Sequence, residues 1–373
     1  MRVDEVRLSS FRNYTSERVS FSPRINFVVG KNGEGKTNLL EAIFFLATTK
    51  SHRQALEKDM AKIGENHFRV SARIISIGVD RNLDLRYDAV LRKKFAGVSG
   101  FPVTKLQDFI GLLNVVMFSP EDLSLVKGSP SGRRRFLDVL LCQVDRVYLR
   151  LLQQYTLVLR QRNEALRLIA RGSLKLSDLK PWDQQFAFLA HRITMRRLQA
   201  TERLSASFST LTDEINRGKE TLSVAYTSSL GATNGSLSIN SLDVDSVVNE
   251  LERRQRDCLR RGNSSIGPHR DDLRFLINGL PAEAYASQGQ QRTAVLGLKL
   301  AELKYMQEVT GDCPVLLLDD VLSELDKSRR QMLVQALKSD VQAIITGTDE
   351  RDLSLQGVEP SQVMRVERGK VVV

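Results

Sequence analysis

The sequence predicts an α/β fold: a mixed-sheet lobe assembled from both ends of the chain, with a helical second lobe between them. Three observations predict it. A complete glycine-rich phosphate-binding pattern lies between a strand and a helix near the N-terminus. An apolar run ending in two carboxylates lies near the C-terminus. Between them the apolar spacing becomes helical and the charge turns basic.

The elements follow in order. Val3–Phe11, Glu17–Phe21 and Ile25–Val29 read as short strands, and Thr37–Ala47 as a helix. Phe68–Ile77 and Asn82–Leu91 alternate apolar and polar residues around Gly78 and Asp80, the pattern of a hairpin. From Phe136 the period is helical: Phe136, Leu140, Val144, Val147, Leu151, Tyr155 and Val158 share one stripe. A second stripe runs from Trp182 through Phe186, Leu189 and Ile193, then Leu204, Phe208, Leu211 and Ile215, with Pro181 at a position a helix start tolerates. Residues 133–217 thus read as two long helices joined by the polar stretch Gly172–Lys180, with a kink or exposed patch expected at Arg196 and Arg197. Gly231–Asn240 is rich in Gly, Ser and Asn and reads as a surface loop. Sheet-like pattern returns after Gly267, then a helix from Gln288 to about Gln307 and a strand Val315–Leu318. The expected division is residues 1–118 with 266–373 in one lobe and 119–265 in the other.

Composition narrows the function classes. Hydrophobic content of 42% with 27% charged residues is that of a globular protein. No apolar run approaches the roughly 20 residues that span a bilayer. The opening MRVDEVRLSS reads as a strand, not a signal peptide, so a cytoplasmic location without a membrane partner is expected. Cys142, Cys258 and Cys313 are far apart, and His52, His67, His191 and His269 have no metal-ligand spacing. The net charge of +11 raises the expectation of a polyanionic partner. It is concentrated: Ser129–Leu204 holds fifteen Lys or Arg and six Asp or Glu.

The phosphate-binding pattern is Gly30-Lys31-Asn32-Gly33-Glu34-Gly35-Lys36-Thr37, a full G-x-x-x-x-G-K-T running into Asn38. It follows the strand INFVV and opens the helix TNLLEAIFFLA, the context the motif requires. Its glycines let successive backbone N–H groups converge at a helix N-terminus, which makes an anion nest. Lys36 is expected to reach the β- and γ-phosphates of ATP, and the Thr37 hydroxyl to ligate Mg²⁺. Near the other end, Pro314–Asp320 is an apolar strand closed by Asp319 and Asp320. Ligand sites lie beyond the carboxyl ends of parallel strands. Asp319 is therefore expected to hold Mg²⁺, and Asp320 to polarise the attacking water as general base. Solvated acids at a strand end are the bland alternative, which a complete phosphate loop disfavours.

Ser287-Gln288-Gly289-Gln290 precedes a helix, and alone it could be an N-cap. It resembles the ABC ATPase signature, usually LSGGQ, at the position before the magnesium strand that ABC order demands. The resemblance implies that Ser287, Gln288, Gly289 and Gln290 serve the ATP held by the partner subunit of a homodimer. Ser323-Glu324-Leu325-Asp326 resembles the D-loop, which implies that Ser323 and Asp326 lie at the same interface. Thr348 stands where ABC transporters usually carry histidine, and Asp320 where many relatives have Glu; together they imply slow hydrolysis. No Q-loop glutamine is assigned.

Longer stretches narrow the resemblance. LSSFRNYTS, GKNGEGKTNLLEAIFFLATTKSHR, VVMFSPEDLSLVKGSPSGRRRFLD, GPHRDDL, ASQGQQRTAVLGLKLAEL and DDVLSELD resemble, in order, segments of the RecF family of ABC/SMC-type ATPases. The resemblance spans nearly the whole chain. It implies an ABC-type ATPase head with a helical lobe, and weak, DNA-stimulated ATPase activity acting as a dimerisation switch. It also implies binding to gapped or single-strand/duplex junction DNA, and work with RecR and RecO in loading RecA during recombinational repair and the SOS response. Within this reading Arg133, Arg134 and Arg135 are candidate phosphate contacts. Arg160, Arg162, Arg196 and Arg197 are weaker ones, and for each a solvated face or internal ion pair is the alternative. His269 and Arg270 could bind DNA, contact nucleotide or fix a turn. The main rival is the ATP-binding subunit of an ABC transporter, which predicts a shorter gap between phosphate loop and signature. An SMC-like structural head would need far longer helical arms.

Overall fold

The computed structural model describes residues 1–216, 218–230, 242–338, 340–349 and 359–372. The expected loop Gly231–Asn240 lies outside them.

A six-stranded sheet is built from both chain ends. Its order is β15 (Lys370–Val372), β14 (Gln362–Glu367), β3 (Ile25–Val29), β13 (Ala343–Gly347), β12 (Val315–Leu318) and β8 (Val115–Phe118). All neighbours run parallel except β14 and β15. Alternate residues serve two cores because successive strand side chains point to opposite faces. Phe27, Val116, Phe118, Leu316, Leu318 and Ile345 face the helical side. Val28, Val115, Met117, Val315, Leu317 and Ile344 face the other.

That second face is covered by helix α1 (Lys36–Thr48) and by an antiparallel sheet. Its order is β2 (Tyr14–Ser20), β1 (Arg2–Phe11), β4 (His67–Ser76), β5 (Val79–Asp88), β6 (Lys93–Val98), β7 (Phe101–Val103). β4 and β5 form the expected hairpin, turning through Ile77 and Gly78 at φ 48° and 71°.

On the helical side stand α2 (Ser124–Lys127), α3 (Pro130–Val144), α4 (Arg146–Ala170), α5 (Lys180–Asn216), α6 (Val244–Arg253) and α7 (Gln255–Arg261). They are followed by α8 (Ala282–Tyr285), α9 (Gln288–Thr310) and α10 (Lys327–Lys338). The first apolar stripe is two helices, not one. Asp145 takes an extended conformation, φ −132°, and its carboxylate caps α4 by accepting from the Val147 and Tyr148 amides. α5 runs unbroken past Arg196 and Arg197. Arg197 is buried and donates to Asp138, to Tyr148 and to the Pro268 carbonyl, so the stripe is interrupted by a buried ion pair and not by a kink. α5 and α9 pack closely at Gly297, where a Cβ would meet Thr212 Cγ2 at 2.6 Å.

A third sheet, β11 (Leu280–Pro281), β10 (Asp272–Ile277), β9 (Leu222–Thr227), joins strands from either side of residue 265. The cysteines form no disulfide. Among the described residues no helix is long and apolar enough to cross a membrane, and no three or more His, Cys, Asp or Glu side chains gather so as to hold a metal by themselves.

Candidate nucleotide-binding site

β3 and β12 are separated only by β13 and run parallel. The loop after β3 and the carboxylates after β12 therefore share the carboxyl edge of the sheet, where the sequence expects a ligand. Lys31, Asn32, Gly33, Gly35, Lys36, Thr37, Asn38, Asp319, Asp320 and Arg53 line one cleft of about 380 Å³. Gly30 and Glu34 line the adjoining cavity, with Thr348 beside them.

The loop's shape is set by two glycines at positive φ, Gly33 at 85° and Gly35 at 124°. A Cβ at Gly35 would meet the Asn13 amide nitrogen at 2.6 Å, so a side chain is excluded twice over. Asn13 and Tyr14 hold the loop from behind. The Asn13 amide donates to the Glu34 carbonyl at 2.7 Å and the Tyr14 hydroxyl to the Gly35 carbonyl at 2.9 Å. Lys36 folds over the loop and donates to the Gly30 and Lys31 carbonyls. Burial pushes its pKa down, opposed by Asp320, Asp319 and Glu34.

Thr37 Oγ1 donates to Asp319 Oδ1 at 2.8 Å. The Thr346 hydroxyl donates to the same oxygen at 2.9 Å and accepts from the Asp320 amide at 2.9 Å. Burial raises the Asp319 pKa, and these two hydroxyls oppose it. Asp320 follows at φ 52°, a left-handed conformation uncommon outside glycine, and turns the chain at the strand end. One hydroxyl and one carboxylate meeting at the cleft form the hard-oxygen pair that suits Mg²⁺, whose other positions are filled by water and substrate phosphates. The chemistry such an ion supplies is neutralisation of phosphate charge.

Ser287 caps α9. Its hydroxyl accepts from the Gln290 amide at 3.3 Å, and the Gln290 side chain accepts from the Ser287 amide at 2.6 Å. Ser287 and Gln288 are exposed, as are Ser323 and Asp326. None of these, nor Gly289 or Gln290, lines the cleft of their own chain. Arg329 ties the two motifs together, donating to the Gly289 carbonyl at 2.7 Å and to Asp326 at 2.6 Å.

The basic segment is largely spoken for. Arg133 is 4% exposed and grips Asp272 through two bonds of 2.8 and 2.9 Å. Arg134 donates to the Asp271 carbonyl at 2.8 Å and Arg135 to the Ser51 carbonyl at 2.6 Å. Arg162 is fully buried against Asp183 and Ser264, and Arg196 pairs with Asp145. Arg160 is exposed. His269 bridges Tyr155 at 2.6 Å and the Ser264 carbonyl at 3.1 Å, and thereby fixes a turn. Asp271 is a buried hub that accepts from the Ser229 amide and hydroxyl, both at 2.7 Å, and from Tyr226.

Sequence reasoning missed Thr346 and Arg53. Thr346 closes the strand before Gly347, where a hydroxyl is one polar residue in an apolar run. Arg53 ends the stretch TTKSHR, without a spacing of its own to mark it.

The family described as RecF/RecN/SMC N terminal domain matches residues 2–371. A "DNA replication and repair protein RecF" of Symbiobacterium thermophilum is 40% identical over 375 residues, covering 100% of this chain and 98% of that protein. The chain belongs to the RecF family. A RecF-family relative of the same description from Lachnoclostridium phytofermentans is 38% identical, covering 100% of this chain and 99% of its own. The solved structure of the recombination mediator protein RecF-ATP in the RecFOR pathway superposes with TM-score 0.91 at 33% identity, covering 99% and 96% of the two chains. An Smc head domain from Pyrococcus furiosus shares the fold at TM-score 0.54 and 16% identity. The expected ABC-type head is thus the fold observed.

Proposed function

We propose that this chain is a cytoplasmic, ATP-dependent DNA-binding protein of recombinational repair and replication-fork recovery. It binds ATP with Mg²⁺, dimerises, and binds gapped or single-strand/duplex junction DNA. It acts with RecR and RecO to help load RecA, and hydrolyses ATP slowly, with stimulation by DNA. Residues 1–118 and 266–373 act as the ATP-binding lobe and 119–265 as the helical lobe, coupled through the β9–β10 pairing. The observation that carries the reading is the meeting of Thr37 with Asp319 at 2.8 Å in a cleft that also holds Lys36 and Asp320. The names borne by the full-length relatives, and the net charge of +11, support the DNA partner.

Within this reading Asp320 is the general base and Asp319 with Thr37 holds the metal. Ser287–Gln290, with Ser323 and Asp326, completes the partner's site. The exposure of the signature and its absence from its own cleft support that trans assignment. Arg133 is committed to Asp272, so DNA contact is assigned to other cations.

Sedimentation velocity with and without ATP and gapped DNA tests the reading. ATP should convert monomer to dimer, DNA should co-sediment, and Lys36→Ala should abolish the ATP-dependent shift. A wild-type protein indifferent to ATP and DNA overturns it.

A further inference from the structure

A second basic run, Arg253-Arg254-Gln255-Arg256-Asp257-Cys258-Leu259-Arg260-Arg261, is far from α4 in sequence but packed against it in space. A small core joins the two: Ala165, Leu166, Leu179 and Cys258, flanked by Ile169, Trp182 and Leu259. α7 ends at Gly262, where an added Cβ would lie 3.1 Å from Arg167 Cγ, so the Arg167 stem crosses the end of α7. Two basic segments thereby become one surface at the end of the helical lobe.

The charge there is large. Residues 160–180 and 253–261 together hold eleven Lys or Arg and three Asp or Glu; of the eleven, Arg162 is buried on Asp183, and Arg253 and Arg254 pair with Glu250. Along α4 and its C-terminal cap, Arg160, Arg167 and Arg171 are spaced seven and four residues apart, which brings all three within about 40° of one helical face. All three are exposed, as are Arg256, Arg260 and Arg261 on α7. Arg167 pairs with Glu164 and Arg260 with Asp257. Arg160, Arg171, Arg256 and Arg261 make no ion pair among the described residues. Cations gathered without counter-charges repel one another and return little to the fold. A favourable helix-dipole position accounts for Arg261 but not for Arg160 or Arg256.

We propose that this α4–α7 tip is a binding surface for the phosphate backbone of nucleic acid, separate from the nucleotide cleft. The inference rests on the DNA-binding reading above and gives it a location. The surface consists of guanidinium groups, whose planar donors fit phosphate oxygens. The large apolar side chains exposed in these two segments are Leu174 and Leu176. That is unlike the centre of a protein interface, which is depleted of charge and enriched in aromatics. Binding here is sequence-independent and weakens with salt as bound phosphates release their counterions.

The test uses the full chain with Arg160, Arg171, Arg256 and Arg261 all changed to Gln, and the two pairs Arg160→Gln/Arg171→Gln and Arg256→Gln/Arg261→Gln. Affinity for labelled gapped DNA is measured by anisotropy across a salt series. ATP binding and thermal melting are followed in parallel. The quadruple variant should bind DNA at least about tenfold more weakly near 0.1 M salt, with a log–log salt slope smaller in magnitude by about 0.9 for each phosphate no longer neutralised. Each pair should have part of that effect, with ATP binding unchanged and melting lowered only slightly, by the loss of Arg261 from the last turn of α7. A folded quadruple variant with wild-type affinity and slope overturns the tip assignment and leaves DNA binding intact. Wild-type protein that binds no DNA overturns the parent reading and the tip with it. Unchanged DNA binding together with lost retention on a polyglutamate matrix overturns the assignment in favour of an acidic protein partner.

Discussion

Thr37 Oγ1 lies 2.8 Å from Asp319 Oδ1, though 282 residues separate them. One comes from the start of α1 and the other from the end of β12, and only a sheet built from both chain ends brings them together. Asp320, the next residue, lies in the same cleft as Lys36. Two substitutions separate their roles. Lys36→Ala removes the cation that reaches the phosphates, so ATP affinity should fall by at least about tenfold, measured by calorimetry or nucleotide fluorescence. Asp320→Asn should retain ATP but slow hydrolysis by roughly 10²–10⁴-fold, the usual contribution of a general base. Asn tolerates the left-handed backbone, φ 52°, that Asp320 adopts, so the change is confined to the carboxylate. The ATP-bound dimer should accumulate in a sizing experiment. Hydrolysis at the wild-type rate would remove Asp320 from the base role.

Arg133 makes a different prediction from the one its sequence context invites. With 4% exposure and two bonds to Asp272, it links α3 to β10. Truncation leaves a carboxylate that is itself mostly buried, with 18% side-chain exposure, without its partner. Breaking such a pair costs about 3–5 kcal/mol when fully buried, and somewhat less here. Arg133→Ala should therefore lower the denaturation midpoint clearly, while the salt slope of DNA binding in the folded fraction stays unchanged. Adding Asp272→Ala should cost less than the sum of the two single changes, the mark of direct coupling. A stable Arg133→Ala protein with a reduced salt slope would return Arg133 to the DNA surface.

What the sequence made legible divides along a physical line. Local patterns gave the phosphate loop, its flanking strand and helix, and the apolar strand before Asp319, because each is a short-range signal with its own chemistry. The α3–α4 break was hidden because Asp145 lies where the apolar stripe continues unbroken on either side, and only its capping bonds to Val147 and Tyr148 reveal it. Arginines were legible as charge but not as partners in the fold. Arg133, Arg162 and Arg197 are buried against carboxylates from distant segments, and those pairings belong to the tertiary fold. Arg256 and Arg261 join the α4 stripe only because Cys258 packs against the core that includes Leu166.

His269 yields a pH dependence. Burial lowers its pKa to about 4 from an ordinary 6.5, partly opposed by its bond to the Ser264 carbonyl. The folded protein thus holds the ring neutral where the unfolded chain would protonate it. A lowered histidine pKa means that stability is full above pH 6.5, falls as pH drops through the interval towards 4, and levels off below it. A shift of this size is worth up to roughly 3 kcal/mol. Chemical denaturation of wild type and His269→Gln at several pH values isolates the contribution, since other groups cancel in the difference. Gln offers an amide that can still meet Tyr155 and Ser264 but does not titrate. The stability gap between the two proteins should narrow as pH falls from 7 to 4; a gap independent of pH would show that the ring takes up its proton as readily in the folded state as in the unfolded one.

The composite site can be tested by mixing two inactive proteins. If Ser287 serves the ATP bound by the partner's Lys36, Ser287→Arg protein should still bind ATP as a monomer. It should neither dimerise productively nor hydrolyse, because a bulky cation fills the interface at the exposed cap of α9. Lys36→Ala is inactive for the opposite reason. A two-fold dimer has two equivalent sites, each built from both chains. In a mixed dimer one site carries both lesions and the other carries neither. With random pairing half of all dimers are mixed, so about a quarter of the sites are intact. ATPase activity should therefore reappear on mixing, up to roughly that fraction of the wild-type rate. Titrating one variant against the other should give a maximum near equal proportions, because mixed dimers are then most abundant. Full activity of Ser287→Arg alone, at dilutions where it is monomeric, would show that each chain completes its own site and would sink the trans assignment.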